Sequence, residues 1–141
     1  MKVVIHHNPD CGTSRNTLAI LRAAGLEPSV IPYLETGWTR PQLLGLFAAA
    51  DLTPRTALRE TKSPAAELGL LDENVDDEAL MEAMLAHPVL VNRPLVCTPL
   101  GVRLCRPSEA VLALLKPDHR AALAAEDFRK EDGTPLIEAG R

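Results

Sequence analysis

The chain has 141 residues, a hydrophobic fraction of 46%, a charged fraction of 24% and a net charge of −4. This length suits one globular domain with its own core, while the acidic balance argues against a general nucleic-acid-binding protein. The odd number of cysteines argues against a disulfide-rich secreted protein, and no apolar run approaches the roughly 20 residues of a membrane span. We therefore expect a cytoplasmic location and reduced thiols.

The first predicted elements are a strand, a helix and a second strand. Residues 3–5 are apolar and β-branched, which favours a buried strand. The apolar residues of 18–24 then recur on one helical face, and Gly25 is typical of a position just beyond a helix end. Residues 30–34 predict a second strand, at a sheet edge because Pro32 cannot donate a ladder hydrogen bond. This order favours a right-handed parallel crossover.

The middle of the chain is predicted to be helical. Four Ser, Thr or Asp residues precede apolar stretches or a proline, which is a common start of a helix. Because no strand is predicted among them, we expect a helical insertion over about residues 37–86. The four helix-starting residues are Thr39, Thr53, Ser63 (before residues 65–68) and Asp76.

The rest of the chain predicts further strands and then helices. Residues 89–91 predict a strand, and residues 95–105 predict a strand, a turn and a strand. A helix is expected from Pro107. Beyond Pro117 we expect a loosely docked helix and a partly mobile end near Gly133.

The order of these elements predicts an α/β protein of thioredoxin-like fold. It has a mixed sheet with a helical insertion between the βαβ and ββα halves. We expect a single domain over residues 1–141. Its core is predicted from about 1–36 and 87–116, with the insertion at about 37–86 and a C-terminal tail at about 117–141.

The sequence HNPDCGTS, residues 7–14, places a cysteine between the first strand and the first helix. Free N–H groups at a helix N-terminus favour both a thiolate and a bound oxyanion. The alternative is that Cys11 is only a small buried residue, since free cysteines are commonly buried. His7 is a candidate for promoting ionisation of the thiol, and Gly12 would let a ligand approach the backbone closely. Thr13 and Ser14 are candidates for binding the anion.

Other cysteine chemistries are disfavoured by the same stretch. Ser14 stands where a C-x-x-C dithiol would have its second cysteine, so no local resolving thiol exists. A phosphatase loop of the C-x5-R type would need an arginine in place of Thr17, and Arg15 is expected on the solvated side of the helix. The spacing of the cysteines matches no metal-ligand pattern, so no metal is expected.

Three arginines are candidates for offsetting the repulsion between a thiolate and an oxyanion. A planar guanidinium binds tetrahedral oxyanions through several donors. Taken one by one, each arginine fits a solvated surface charge better than an anion ligand, and their spacing does not show that they group together. They are Arg59, Arg93 and Arg106, and Arg93-Pro94 is a candidate cis peptide.

Two long segments resemble the glutaredoxin-linked arsenate reductases. They are HNPDCGTSRNTL at residues 7–18 and LVNRPLVCTPLGVRLCRPSEAVL at residues 90–112. The similarity extends to IPYLE at 31–35, ALR at 57–59, ELGL at 67–70 and KEDG at 130–133, and so covers nearly the whole chain.

This resemblance implies a fold, a reaction and a set of site residues. The fold is thioredoxin-like with a helical insertion, in agreement with the predicted elements. The implied substrate is arsenate, with glutathione as co-substrate, glutaredoxin as partner and no tightly bound cofactor. The implied site residues are the nucleophile Cys11, His7 favouring its thiolate, Arg59, Arg93 and Arg106 around the arsenate oxygens, and a cis Pro94.

Two features of the sequence depart from the family or fall outside the site. Asp10 stands beside the nucleophile, where a small neutral residue is expected in much of the family, and a carboxylate there opposes thiolate formation. Cys97 and Cys105 fit core packing better than the role of a resolving thiol.

Two other functions remain open at this point. One is a redox-responsive transcription regulator of the same fold, although such relatives typically carry C-x-x-C. The other is a glutathione-dependent reductase of a different substrate.

Overall fold

A computed structural model describes residues 1–136 of the chain. Its strands are β1 (Val4–His6), β2 (Ser29–Ile31), β3 (Leu95–Thr98) and β4 (Gly101–Leu104). They form one sheet in the order β2-β1-β3-β4, with β1 parallel to β2 and antiparallel to β3, and β3 antiparallel to β4. This mixed α/β arrangement is the predicted thioredoxin-like fold, and β2 lies at the edge of the sheet.

The helices are distributed along the rest of the described chain. Among residues 1–136, no helix has both the length and the apolar character needed to cross a membrane. The α-helices are α1 (Gly12–Ala23), α2 (Tyr33–Thr36), α3 (Arg40–Ala49), α4 (Pro54–Ala57), α5 (Asp77–Ala86) and α6 (Pro117–Ala125), and there are 3-10 helices at Pro88–Leu90 and Ser108–Leu114.

The chain divides into two compact units. One, the core unit, comprises Met1–Pro32 and residues 93–136 of the described chain, and it contains the whole sheet. The other, the helical unit, is Tyr33–Asn92.

The core unit is built around α1 and the sheet. Ile5 and Val96 from the sheet and Ile20 and Leu21 from α1 have no exposed surface and belong to one hydrophobic cluster. Burial of each such side chain stabilises the fold by roughly 1.5–3 kcal/mol. The helix ends where predicted, because Gly25 takes a left-handed φ of +89° that favours glycine.

Local capping chemistry starts three of the helices in the helical unit as predicted. The side chains of Thr39, Thr53 and Asp76 each accept a hydrogen bond from a backbone N–H three residues later. Ser63 is different, because its hydroxyl accepts from Ala65 N–H at 3.2 Å and only turns follow. The prediction of a helix after Ser63 is therefore wrong.

Two strand predictions are also wrong. Residues 89–91 were expected in a strand, but Pro88–Leu90 is a 3-10 helix and Val91 makes one isolated bridge to Leu58. A short buried apolar run does not distinguish a strand from a helical turn. The predicted strand at 30–34 ends early, because Pro32 cannot extend the ladder and α2 begins at Tyr33.

The end of the described chain is packed, not loose. The side chains of Leu123, on α6, and Leu136 are fully buried in the core cluster. The expectation of a loosely docked helix after Pro117 is therefore wrong. The predicted helix from Pro107 is a 3-10 helix from Ser108 to Leu114. The part of the predicted tail at residues 137–141 lies outside the described residues.

Candidate active site

Cys11 is the N-cap residue of α1 and has extended backbone angles, φ −102° and ψ 120°. The loop before it is closed by two local hydrogen bonds. Cys11 N–H donates to Asn8 O at 3.1 Å, and Asp10 N–H donates to Asn8 Oδ1 at 2.9 Å. The loop therefore holds itself in a turn between β1 and α1 and leaves the thiol at the helix N-terminus.

Ser14 joins the loop to the end of β1. Its hydroxyl is fully buried, lies 2.6 Å from His7 Nδ1 and accepts a hydrogen bond from Asn8 N–H at 3.1 Å. The backbone N–H of Ser14 faces Cys11, and its hydrogen bond lowers the pKa of the thiol. The Ser14 side chain is thus bonded within the loop, and the group of Ser14 that faces the thiol is its backbone amide.

Arg106 and Arg93 lie beside the thiol because of the strand register. Leu95 of β3 pairs with Leu104 of β4 and with His6 of β1, so the segments just beyond these pairs meet at one end of the sheet. Arg106 Nη1 donates to Cys11 Sγ at 3.6 Å and to Arg93 O at 3.2 Å.

Both of these arginines precede a cis proline. The Arg93–Pro94 and Arg106–Pro107 peptide bonds are cis, and the second was not anticipated from the sequence.

The pKa of Cys11 is lower than that of an ordinary thiol. Burial opposes ionisation, but the Ser14 N–H, the charge of Arg93, and the hydrogen bond and charge of Arg106 outweigh it. Burial instead raises the pKa of Cys97, and it raises that of Cys105 to about 12. Of the chain's three cysteines, Cys11 is the one whose pKa is shifted in favour of the thiolate.

The two histidines at the end of β1, His6 and His7, do not carry the positive charge that the arginines carry. The pKa of His7 is lowered by burial first and then by the charges of Arg22 and Arg15. Burial lowers the pKa of His6 to about 4. His7 is consequently a neutral hydrogen-bond partner of Ser14 at pH 7, rather than a cation beside the thiol.

The remaining predicted site residues have simpler surroundings. Gly12 and Thr13 form the first turn of α1, where Thr13 O accepts from Thr17 Oγ1 at 2.8 Å. Arg59 belongs to the helical unit, where its Nε donates to Thr61 O at 3.0 Å.

The surroundings of Arg15 were not anticipated from the sequence. Arg15 lies on the exposed side of α1 as expected, with 44% of its side chain exposed, but its guanidinium also binds the carboxylate of Glu131 and the carbonyl of Pro9. The resemblance of the KEDG segment was the one signal that drew attention to this region.

Fold and site together define a thioredoxin-like protein whose activated thiol lies at a helix N-terminus beside two arginines. The sequence model of the ArsC family matches residues 6–114. The chain belongs to the ArsC family.

Relatives with similar sequences carry one common name. The chain is 64% identical over 136 residues to "Arsenate reductase ArsI2" of Synechocystis sp., covering 96% of this chain and 94% of that protein. It is 49% identical over 140 residues to "Arsenate reductase" of Escherichia coli K12, covering 99% and 96%. A solved structure of an arsenate reductase from Vibrio cholerae has a TM-score of 0.77 and 42% identity, covering 82% of this chain and 98% of that one.

Proposed function

We propose that this protein reduces arsenate to arsenite, using glutathione as co-substrate and glutaredoxin as partner. The observation that carries the proposal is the thiol of Cys11, whose pKa is lowered and which lies 3.6 Å from Arg106 Nη1. The names of the ArsC relatives support the choice of arsenate as the oxyanion.

In the first proposed step, the Cys11 thiolate attacks arsenic. A sulfur–arsenic bond forms and an arsenate oxygen leaves as water after protonation. Arg93, Arg106 and the free amides of the first turn of α1 hold the remaining oxygens, where fixed donors stabilise the developing charge without reorganisation. The same cations favour the thiolate and offset its repulsion from the anion.

In the second step, glutathione attacks the Cys11 sulfur. A disulfide forms between Cys11 and glutathione, and the electron pair of the sulfur–arsenic bond passes to arsenic, which becomes trivalent. Glutaredoxin then removes the glutathione by thiol exchange and restores the Cys11 thiol. An external thiol fits this chain, because Ser14 replaces the second cysteine of C-x-x-C.

Two further residues take part in the proposal with different support. His7 acts by holding the Ser14 hydroxyl at 2.6 Å, which keeps the Ser14 N–H directed at the thiol. Arg59 is included as an oxyanion ligand on the resemblance of its ALR segment alone, so it needs a separate kinetic test.

The deciding experiment is an arsenate reduction assay with and without glutathione and glutaredoxin. Wild-type protein is expected to need both, and Cys11→Ser to be inactive because a hydroxyl does not supply the nucleophile. Cys97→Ser is the matched control and is expected to retain activity, since burial raises the pKa of that thiol. Glutathione-dependent reduction by Cys11→Ser would exclude the proposed mechanism.

A further inference from the structure

The C-terminal turn, residues 129–135, is a folded element of the core unit. An antiparallel bridge joins its two ends, and Lys130 N–H donates to Thr134 O at 2.9 Å. The carboxylate of Asp132 accepts from the N–H and the hydroxyl of Thr134, at 2.9 and 2.7 Å. These bonds give the turn a defined shape.

The C-terminal turn is also fixed to the core unit on both sides of its tip. Leu136, which follows it, is fully buried in the hydrophobic cluster. Lys130 Nζ lies 2.9 Å from Glu109 Oε1, with the two side chains only 20% and 25% exposed. Ion pairs shielded in this way are screened less than fully exposed ones. Glu131, next to Lys130, is therefore presented from a fixed backbone.

Glu131 is held by two neighbouring residues of α1. Its carboxylate accepts two hydrogen bonds from the Arg15 guanidinium, from Nε at 2.9 Å and from Nη2 at 3.2 Å. Its backbone N–H donates to Asn16 Oδ1 at 2.9 Å. A paired contact of this kind fixes the orientation of the guanidinium as well as its position.

The third donor of Arg15 reaches the loop that carries the nucleophile. Arg15 Nη1 donates to Pro9 O at 2.8 Å, two residues before Cys11. A methyl group added at Gly12 would lie 3.6 Å from Arg15 Nη2 and 3.8 Å from Glu131 Oε1. The Arg15–Glu131 pair therefore lies against the residue that directly follows the nucleophile.

We propose that Glu131 and Arg15 are a positioning pair for Cys11, through which the C-terminal turn fixes the Pro9 carbonyl and the loop. This inference deepens the proposed arsenate reduction and, for its kinetic part, rests on it. The two charges offset each other, so the pair differs from Arg93 and Arg106, which bring net positive charge to the thiol. Its contribution is alignment of the nucleophile, on which displacement rates depend steeply.

The test uses Glu131→Ala, Arg15→Ala and the double variant in the full chain. Hydrogen exchange of a peptide covering residues 7–16 is expected to be faster in both single variants and no faster again in the double variant, because the residues act as a unit. With arsenate, kcat is expected to fall about fivefold in each single variant while KM changes little. If Arg15 were a ligand of the anion, Arg15→Ala would instead raise KM.

The control is Asp127→Asn, which removes an exposed acid that pairs with Arg129 at 3.4 Å just before the turn. It is expected to match wild type in loop exchange and in kcat. Unchanged loop exchange in Glu131→Ala, additive effects in the double variant, or equally fast exchange in Asp127→Asn would each overturn the inference. If wild-type protein does not reduce arsenate, the proposed function fails, and the exchange measurement still decides the role of the pair.

Discussion

At the scale of single residues, Arg106 gives the thiol of Cys11 a pH dependence that can be measured. The folded protein lowers the pKa of Cys11, so its alkylation rate reaches its plateau at a lower pH than that of an ordinary thiol. Arg106→Ala removes a hydrogen bond and a positive charge that favour the thiolate, and it should move the midpoint to higher pH. The measurement is the initial rate of alkylation against pH, with the labelled cysteine identified by peptide mapping.

Arg103 provides the matched control for this titration. It is an exposed arginine on β4, and its charge lowers the pKa of Cys105 rather than that of Cys11. Arg103→Ala should leave the Cys11 midpoint where it is in wild type. Equal shifts in the two variants would mean that overall charge, and not the contact of Arg106 with the thiol, sets the pKa.

Asp10 tests the opposite sign of charge beside the same thiol. Its side chain is exposed, and its backbone N–H is bound to Asn8 Oδ1. Asp10→Ala removes a negative charge next to Cys11 and should lower the pKa of the thiol, by a small amount because solvent screens the carboxylate. An unchanged or raised midpoint in the same alkylation titration would refute this expectation.

A residue whose role depends on its local sequence was recognisable from the spacing of its neighbours, whereas the grouping of residues far apart in the chain was not. Cys11 could be singled out because a strand, a turn and a helix start lie within a few positions of it. Arg15 is exposed as expected, but its pairing with Glu131 was not foreseen, because the two residues are 116 positions apart along the chain. Nothing in the spacing of these two residues indicates that they pair.

At the scale of elements, the predictions that succeeded depend on short-range chemistry. Thr39 and Asp76 start helices by accepting a hydrogen bond from the N–H three residues later, so the signal lies within four consecutive residues. The helix expected after Ser63 is limited to a single turn, because Gly69 takes a left-handed φ of +73° and Leu70 N–H donates to Ala65 O, a pattern that ends helices. Arg55, on α4, binds the carbonyls that follow, at residues 70, 72 and 75, and this contact could not be read from the sequence around Ser63.

Arg55 is expected to be the main stabiliser of the turns at residues 70–75. Its guanidinium donates to Leu70 O at 2.7 Å and to Asp72 O and Val75 O, each at 3.0 Å. Arg55→Ala should lower the free energy of unfolding by about 2 kcal/mol, because hydrogen bonds to a charged group are among the stronger ones. Urea denaturation of the full chain measures this loss.

Arg40→Ala is the comparison for Arg55→Ala. Arg40 pairs with Glu78 and Glu82 on the exposed surface, where screening leaves ion pairs little net stabilising effect. Its removal should lower stability less than removal of Arg55. An equal or larger loss in Arg40→Ala would contradict the expectation that the carbonyl contacts of Arg55 stabilise the chain more than exposed ion pairs do.

At the scale of the whole chain, the sheet explains why Cys11, Arg93 and Arg106 lie together although they are far apart in the sequence. The parallel β1–β2 pair and the antiparallel β3–β4 hairpin follow general rules of connection, so the thioredoxin-like order could be predicted. The packing of the C-terminal segment could not, because its alanine-rich and charged composition gives a weak apolar pattern. Leu123 and Leu136 nevertheless complete the hydrophobic cluster against which α1 packs.

Leu136 therefore links the stability of the core unit to the position of the C-terminal turn. Its side chain is fully buried, and Leu136→Ala should cost about 2–5 kcal/mol through lost burial and a residual cavity. Leu100, which is 53% exposed, is the matched control, and Leu100→Ala should cost less than about 0.5 kcal/mol. Urea denaturation compares the two variants. Similar denaturation midpoints for both variants would mean that the Leu136 side chain contributes little to the stability of the core. A loss confined to Leu136→Ala, together with faster exchange of residues 7–16, would show that the same segment that closes the core also steadies the nucleophile.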